Sequence, residues 1–323
     1  MEEEVLDTDR TRRILSRFPD ACIIPIRHYK DVFNRRRQDP VLQHAHQNLI
    51  LAAGNGERVF PGAPVCQDFG NEHFYYTSMV MNCLYDCEYC YLKGMYPSGN
   101  IVVFVNSGET YRKIRQLLAQ FPVYLCISYD TDLLALEDMT GYVQEWNEQV
   151  LSLAGLTVEL RTKCARTDLW DRLCPCPRFI LAMTLSPEDV IARWEHGTPD
   201  LHARLSSAQS ALRHGFPVRL CLDPMIWFPG WQESYDALFR ALSNEIDLSL
   251  VRDFSVGSFR ISGSYLKNLR QSLPHSALVQ YPFEQDGGYY HYPAAVEQDM
   301  EQYAIRKIRE LLPDASVFTW EKA

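Results

Sequence analysis

Three closely spaced cysteines are the most chemically suggestive feature of the sequence. Cys83, Cys87 and Cys90 form a C-x3-C-x2-C array within MNCLYDCEYCYLKG, and tyrosines occupy positions 89 and 91 on either side of the last cysteine. Clustered cysteines in an intracellular chain are more often metal ligands than disulfide partners. The array therefore predicts a metal site.

Two kinds of metal site are compatible with three thiolates. Structural zinc closes a tetrahedron with four protein ligands, and His73 is the nearby candidate for the fourth. Three cysteines on one short loop can instead bind three irons of a 4Fe–4S cube and leave the fourth iron open to a small molecule. The spacing favours the cluster, and a zinc-stabilised binding module is the alternative from another class.

Composition and charge narrow the class of protein. The chain has 323 residues, of which 46 % are hydrophobic, enough for a core that needs no disulfides. The acidic start MEEEVLDTDR lacks an apolar signal region, and no run of about 18 apolar residues occurs, so we expect a cytoplasmic protein. The formal charge of −9 argues against a broad nucleic-acid footprint. The arginine run 35–37 is a candidate local patch, although a solvated helix face is the favoured interpretation.

Short β-rich runs alternate with helical patterns from residue 73 onward, which predicts a parallel sheet wrapped by helices. The runs are 73–80, 100–105, 122–128, 156–162, 178–185, 217–225 and 253–259. The clearest helix covers 199–214, with Thr198 as its cap and Gly215 as its stop, and a last helix covers about 295–312. Six or seven such units fit a complete or partial barrel, whose sites lie at the carboxyl ends of the strands.

Three regions follow from this alternation. Residues 1–70 are predicted to be an N-terminal extension, 71–260 an α/β partial (β/α) barrel, and 261–323 a C-terminal helix, hairpin and helix segment. The hairpin is predicted at YPFEQDGGYYHY, 281–292, where aromatic runs flank an Asp-Gly-Gly turn.

The cysteine array is typical of radical S-adenosylmethionine enzymes, and further segments resemble the spore photoproduct lyase family. These segments are CEYCYL at 87–92, FVN at 104–106, RTK at 161–163 and WEHGTPDLHARL at 194–205. The resemblance covers more than half of the chain, from about Phe74 to Arg260. It implies a partial barrel of the radical SAM type, with a 4Fe–4S cluster on the three cysteines. It also implies that S-adenosyl-L-methionine binds at the open iron and is cleaved to a 5′-deoxyadenosyl radical, with an electron donor such as flavodoxin or ferredoxin.

The same resemblance implies a carbon–carbon lyase that reverses a thymine photolesion in DNA. In that family a cysteine thiol quenches the thymine radical, and two tyrosines relay hydrogen towards the cofactor. Cys126 corresponds to the thiol, and Tyr89 and Tyr91 to the relay. The pair Thr131-Asp132 lies a few residues further from Cys126 than the family pattern has it, so a buried core cysteine is the alternative.

Four residues are implied to contact the cofactor or the lesion. Lys163 ends the RTK segment, at a strand end where a buried lysine requires an anionic partner, and a solvated lysine is the alternative. Thr184 and Ser186 match hydroxyl positions of the family, although Ser186 also begins an ordinary helix-start pattern. Asp132 is predicted to bond a ribose or to cap the next helix.

Several features leave the substrate open. The hairpin contains no arginine or lysine, although Tyr289, Tyr290 and Tyr292 are candidates to stack on bases or to pack under the last helix. RNA, a peptide or a metabolite is therefore the alternative substrate. Of the remaining polar side chains, Cys164, Cys174 and Cys176 offer an auxiliary metal site or ordinary loop cysteines, and His44 and His46 are predicted to be a surface pair.

Overall fold

The computed structural model describes residues 1–63 and 66–320, and its strands follow the apolar runs of the sequence. The strands are β1 (Leu49–Ala52), β2 (Val59–Pro61), β3 (Phe74–Thr77), β4 (Val80–Met81), β5 (Asp86–Cys87), β6 (Ile101–Phe104), β7 (Val123–Cys126), β8 (Leu156–Thr162), β9 (Phe179–Thr184), β10 (Glu195–His196), β11 (Val218–Met225), β12 (Asp253–Ser258), β13 (Arg260–Ser262), β14 (Glu284–Asp286), β15 (Tyr289–His291) and β16 (Val317–Thr319).

The helices lie mainly between these strands. They are α1 (Asp9–Leu15), α2 (Lys30–Phe33), α3 (Pro40–His44), α4 (Tyr91–Met95), α5 (Gly108–Leu118), α6 (Glu137–Thr140), α7 (Tyr142–Ser152), α8 (Glu188–Trp194), α9 (Leu201–Arg213), α10 (Trp231–Glu245), α11 (Gly263–Ser272) and α12 (Ala294–Leu311). Within residues 1–63 and 66–320, no helix is both long and apolar enough to cross a membrane.

The main sheet contains eight strands in the order β16-β12-β11-β9-β8-β7-β3-β2. All neighbours are parallel except β2 and β3. Every residue of β9 and β12 is buried, as expected for parallel strands that are covered on both faces. The α/β class is therefore confirmed. The sheet is open, because β2 and β16 are its two edges and no ladder joins them in the part of the chain that the structure describes.

The run 100–105 forms a strand, but β6 lies outside the main sheet. It pairs in parallel with β1, Leu49 opposite Ile101, and antiparallel with β4. The sequence pattern did not reveal β1, because four apolar residues in a polar region give too short a signal to separate from a loop. The pairing joins the N-terminal segment to β6, which follows the cysteine loop and also pairs with β4, the strand that precedes the loop.

Helix α9 confirms the predicted pattern with a different cap. The Asp200 side chain accepts a hydrogen bond from the Ala203 N–H at 2.8 Å and so caps the helix. Thr198 instead donates its hydroxyl to the Glu195 carbonyl at 2.8 Å. Gly215 adopts φ +79° and ends the helix, as the sequence predicts.

The predicted hairpin is present as the antiparallel pair β14 and β15, which turns at Gly287 and Gly288 with positive φ angles. Strand β13 adds a third strand beside β15. Tyr292, just after β15, is buried, and its hydroxyl accepts a hydrogen bond from the Trp227 N–H at 3.1 Å. Tyr292 therefore belongs to the core, whereas Tyr289 lines the cavity described below.

Candidate active site

The loop that carries the cysteines is anchored by an asparagine in the left-handed region. Asn82 has φ +67°, a conformation that asparagine tolerates better than most residues. Its side-chain amide donates hydrogen bonds to the carbonyls of Ser98 and Asn100, both at 2.7 Å. These bonds fix the chain direction where it leaves β4 and enters the loop.

Helix α3 and the residues after it hold the other side of this loop. The Cys83 carbonyl accepts a hydrogen bond from the Gln47 amide at 2.9 Å, and Nε2 of His44 lies 3.2 Å from the same oxygen. Nδ1 of His44 lies 3.6 Å from the Asp86 carboxylate. The prediction of a surface histidine pair is therefore wrong for His44, which contacts the cysteine loop, whereas His46 is exposed. The partners of His44, Cys83 and Asp86, lie about forty positions away in the sequence, so no local spacing could reveal them.

A cavity of about 640 Å³ opens at the carboxyl ends of the main-sheet strands, where sites in parallel α/β folds are expected. Nine of the ten predicted site residues line it: Cys83, Cys87, Tyr89, Cys90, Tyr91, Cys126, Asp132, Lys163 and Thr184. The tenth, Ser186, does not line it. The structure therefore brings together side chains that are up to a hundred residues apart.

The three thiols line one cavity without surrounding a single point. Among the residues that the structure describes, no three His, Cys, Asp or Glu side chains are arranged to hold one metal ion. Zinc requires such convergence, with ligands about 2.0–2.3 Å from the ion. In a 4Fe–4S cube each cysteine binds a different iron, so the sulfurs stand apart around the cube. His73 stacks on Phe121 at 3.8 Å between ring centroids and does not line the cavity. The donor set fits a three-cysteine cluster better than zinc.

A buried carboxylate beside the cavity organises the tyrosine that precedes the last cysteine. Glu195 pairs with Cys87 across β10 and β5, and the Tyr89 hydroxyl donates a hydrogen bond to the Glu195 carboxylate. The Ser186 hydroxyl donates to the same carboxylate at 2.7 Å. Ser186 therefore acts on this group from outside the cavity, and the helix-start pattern does not use its hydroxyl, because α8 has no side-chain cap.

The Glu195 carboxylate is neutralised by Arg204, at 2.5 Å, with both side chains 0 % exposed. Arg204 also donates to the Thr198 hydroxyl at 2.7 Å, the Pro199 carbonyl at 3.0 Å and the Thr184 carbonyl at 3.2 Å. Burial is the largest effect and acts to raise the pKa of Glu195, but the Arg204 and Lys163 cations and the hydrogen bonds from Tyr89 and Ser186 together outweigh it, so the pKa lies below its usual value. Sequence reasoning did not assign Glu195 or Arg204, although both lie within the segment 194–205 that carries the family resemblance.

Lys163 and Asp132 lie on adjoining strand ends. Burial is the largest effect and acts to lower the pKa of Lys163, but the Glu195 carboxylate together with Cys87 and Cys90 outweighs it, so the pKa is raised and the amine is charged. Its Nζ lies 5.4 Å from the centroid of the Tyr89 ring. Asp132 accepts hydrogen bonds from the Lys163 N–H and the Thr162 hydroxyl, both at 2.7 Å, and from the Ala135 N–H at 3.2 Å. Asp132 therefore caps the next turn while it lines the cavity.

One buried hydroxyl of the cavity wall has no partner. Thr131 lines the cavity, and its Oγ1 atom makes no hydrogen bond within the described ranges 1–63 and 66–320. Buried polar atoms are normally paired. An orphaned hydroxyl next to the cysteine loop and Asp132 is what a cavity built for a polar cofactor would offer.

Cys126 is the last residue of β7, between Tyr76 of β3 and Glu159 of β8. Burial, and then the Glu159 carboxylate, raises the pKa of the Cys126 thiol well above its usual value. The thiol is therefore protonated at neutral pH and retains its hydrogen. It is both a buried residue and a cavity residue, so the two predicted alternatives are not exclusive.

Two arginines of the cavity wall were not predicted. Arg161 and Arg260 both lie near Asp223, with nitrogen–oxygen distances of 3.7 Å and 3.0 Å. Arg260 belongs to β13 and is paired with His291 of the hairpin. Positive charge therefore stands beside the hairpin, although the hairpin itself contains none. The register of β13, which local patterns do not reveal, decides this position.

The cysteines of the predicted auxiliary metal site differ in burial. Cys174 is exposed, whereas Cys164 and Cys176 are buried. They are not grouped with other ligand side chains in the part of the chain covered by the structure. An additional thiol, Cys66, does line the main cavity, and its sulfur lies 3.5 Å from the Tyr129 hydroxyl.

The fold and the cavity define an α/β protein with a cysteine-rich site at the carboxyl ends of parallel strands. The family model for spore photoproduct lyase matches residues 72–319, and the chain belongs to this family. No curated protein matches the chain.

Solved structures support the fold assignment. A spore photoproduct lyase variant with bound AdoMet and dinucleoside spore photoproduct is 19 % identical, with a TM-score of 0.81 over 98 % of this chain and 96 % of that one. A spore photoproduct lyase complexed with dinucleoside spore photoproduct gives 19 % and 0.80 over 98 % and 97 %. SuiB of Streptococcus suis bound to S-adenosylmethionine is more distant, at 12 % and 0.50 over 76 % of this chain and 50 % of that one.

Proposed function

We propose that the protein is a radical S-adenosylmethionine enzyme that reverses a thymine photolesion in DNA by carbon–carbon bond cleavage. In this proposal residues 71–260 form the partial barrel of the radical SAM type. The observation that carries the proposal is one cavity lined by the three cysteines, Cys126 and two tyrosines. Related structures that contain AdoMet and dinucleoside spore photoproduct support the choice of cofactor and substrate.

Cys83, Cys87 and Cys90 would hold the 4Fe–4S cluster, with S-adenosylmethionine at its open iron. When bound, these groups supply a 5′-deoxyadenosyl radical that removes a hydrogen atom from the lesion. The charged Lys163 amine and the Thr131 hydroxyl offer a cation and a hydrogen-bond donor or acceptor to polar groups in the cavity. Asp132 and Thr184 are further candidates for cofactor contacts, and Ser186 positions Tyr89 through Glu195.

Cys126 would end the reaction on the substrate. Its S–H bond breaks, the hydrogen atom forms a C–H bond on the thymine radical, and a thiyl radical is left on Cys126. A hydrogen atom from the O–H bond of a relay tyrosine, Tyr89 or Tyr91, would then restore the thiol, and the tyrosyl radical left behind would take back a hydrogen atom from the 5′-deoxyadenosine formed earlier. In the structure, the Tyr91 hydroxyl donates a hydrogen bond to the Tyr129 carbonyl at 2.5 Å. Burial raises the pKa of both relay phenols, so each keeps its hydrogen at neutral pH.

The cavity wall also suits a dinucleotide lesion. Arg161 and Arg260 offer guanidinium groups to a phosphodiester, and Tyr289 offers a ring to a base. A lesion in duplex DNA must be extruded to reach such a cavity, and the hairpin that lines it with Gly287 and Gly288 is positioned to take part. The alternative substrate is RNA, a peptide or a metabolite, and it is motivated by the hairpin, which contains no arginine or lysine and carries the exposed acidic strand β14.

The test is anaerobic reconstitution followed by assays with dithionite, S-adenosylmethionine and a synthetic dinucleoside spore photoproduct. We expect about four irons per chain, release of 5′-deoxyadenosine and formation of thymine. Absence of both iron and 5′-deoxyadenosine would exclude the radical class. Cofactor cleavage without thymine formation would favour the alternative substrate.

A variant separates cofactor cleavage from hydrogen donation. Cys126→Ala is expected to keep cofactor cleavage but to lower thymine formation by about tenfold or more, because the hydrogen donor is missing. Cys174→Ala, which removes an exposed thiol outside the cavity, is the matched control. Equal thymine yields from the two variants would refute the role of Cys126.

A further inference from the structure

A basic surface lies beside the cysteine loop on a chain whose other residues carry a net negative charge. Residues 27–39, here named the basic surface, contain five lysines and arginines and two aspartates, a formal charge of +3. The whole chain carries −9, so the other residues carry −12 (−9 minus +3). Arg35, Arg36 and Arg37 are all exposed. The arginine run 35–37 lies in the turn after α2 and not on a helix face, the favoured interpretation of the sequence, and the mechanism proposed above does not use it.

The basic surface is connected directly to the cysteine loop. The Gln38 amide donates to the Arg35 carbonyl at 2.9 Å, and the Gln43 amide donates to the Gln38 side-chain oxygen at 2.9 Å. The next residue, His44, contacts the Cys83 carbonyl at 3.2 Å.

Apolar packing also connects the basic surface to the cysteine loop. Phe33 is buried in a hydrophobic cluster against which Val32, Cys83 and Cys90 also pack. The arginines are therefore held on the outer side of the loop whose inner side faces the cavity.

Exposed apolar side chains accompany this charge. Leu84, within the cysteine loop, is 43 % exposed, and Leu42, on α3, is 70 % exposed. Leu84 does not line the cavity, whereas its neighbours Cys83 and Tyr85 do. The loop thus presents a leucine to solvent on the side opposite the predicted cluster. Apolar residues framed by charge are common in transient protein interfaces.

We propose that the basic surface, with Leu42 and Leu84, docks a small acidic one-electron carrier protein that reduces the cluster. The proposal rests on the proposed function, since that chemistry begins only after the cluster is reduced by an electron that must enter from outside. In the transfer the carrier is oxidised by one electron and the cluster is reduced by one. An acidic carrier is repelled by the net negative charge of the other residues and attracted to the basic surface, so it is steered to a face that adjoins the cysteine loop.

The test uses the reconstituted full-length protein and purified flavodoxin as the acidic probe. Arg35, Arg36 and Arg37 are changed together to Glu. The matched control changes three exposed arginines of α10 and α12 to Glu: Arg240, Arg306 and Arg309. Both variants change the net charge equally, so a difference between them reports position. Binding is measured by calorimetry, and cluster reduction by stopped-flow absorbance with reduced flavodoxin.

We expect the R35E/R36E/R37E variant to bind flavodoxin about tenfold or more weakly at low salt, and cluster reduction to slow accordingly. The effect should shrink at about 0.5 M salt, where charges are screened within a few ångströms. The control variant should lose clearly less of its affinity for flavodoxin. Equal weakening in both variants, or none in either, would overturn the docking surface.

Dithionite separates this inference from the proposed function, because a small reductant needs no docking surface. Cofactor cleavage driven by dithionite should be unchanged in both variants. If dithionite-driven cleavage is normal but the R35E/R36E/R37E variant binds flavodoxin as tightly as the unaltered protein, the docking surface alone is refuted. Absence of dithionite-driven cleavage in the unaltered protein would refute the proposed function, and the docking surface with it.

Discussion

Replacing Arg204 by methionine tests whether the buried ion pair with Glu195 supports the site. The change removes the cation and its bonds to the Thr198 hydroxyl and to two backbone carbonyls, while methionine fills a similar volume. The Glu195 carboxylate, 0 % exposed, is then left without its main partner. Breaking a buried pair from one side costs about 3–5 kcal/mol. Lys163 still lies close enough to stabilise the carboxylate, so we expect a loss near the lower end, about 3 kcal/mol.

The pH dependence identifies the cause. In the unaltered protein the pKa of Glu195 is below its usual value, so its contribution to stability is present above the unfolded pKa and is lost as pH falls. In R204M burial dominates and the pKa rises. As pH falls towards that raised pKa, Glu195 in R204M becomes protonated, and the free-energy cost of burying its unpaired charge disappears. The destabilisation should therefore be larger at about pH 8 than at about pH 5.5.

The assay is unfolding of the thiol-reduced protein in urea, monitored by circular dichroism. The unfolding midpoints of the variants are compared only if the dependence of the unfolding free energy on urea concentration has the same slope in each. E195Q/R204M is the control, because glutamine keeps an acceptor for Tyr89 and Ser186 without a charge. We expect it to recover about 1–2 kcal/mol relative to R204M. A loss that is the same at both pH values and in the double variant would refute the unpaired carboxylate as the cause.

Two further predictions concern helix packing and pH. A Cβ atom at Gly94 would lie 2.3 Å from the Tyr265 carbonyl oxygen, so Gly94→Ala should push α4 away from α11. We expect the free energy of unfolding to fall by about 1–3 kcal/mol and iron retention to weaken. Gly108→Ala, where a Cβ atom meets nothing within 4 Å, is the control, and equal losses in the two variants would contradict the packing argument. The Ser210 carbonyl and then the Asp171 carboxylate raise the pKa of His214, so its contribution is present below about pH 6.5 and is lost as pH rises through the raised pKa. His214→Asn should therefore lose a few tenths of a kcal/mol at about pH 5.5 and almost nothing at about pH 9 in urea unfolding, and a loss confined to high pH would reverse this reasoning.

Features that depend on neighbouring residues could be predicted from the sequence. The spacing of Cys83, Cys87 and Cys90 identified the candidate cluster loop, and the β-rich runs located strands β7, β8, β9, β11 and β12. The Asp-Gly-Gly turn located the hairpin. Such signals are local, because strand propensity, turn geometry and ligand spacing are set within about ten residues.

Other features depend on packing between distant segments, and only the tertiary structure decided them. It placed β1 beside β6, His44 on the Cys83 carbonyl, and Arg260 in the cavity wall. It also paired Glu195 with Arg204, two residues of the segment 194–205 to which the sequence analysis assigned no role. A side chain's partners across a cavity follow from strand register and helix placement, which the whole chain determines together. The sequence alone therefore predicted the kind of chemistry that the cysteine loop could support, and the fold decided which side chains lie next to that loop.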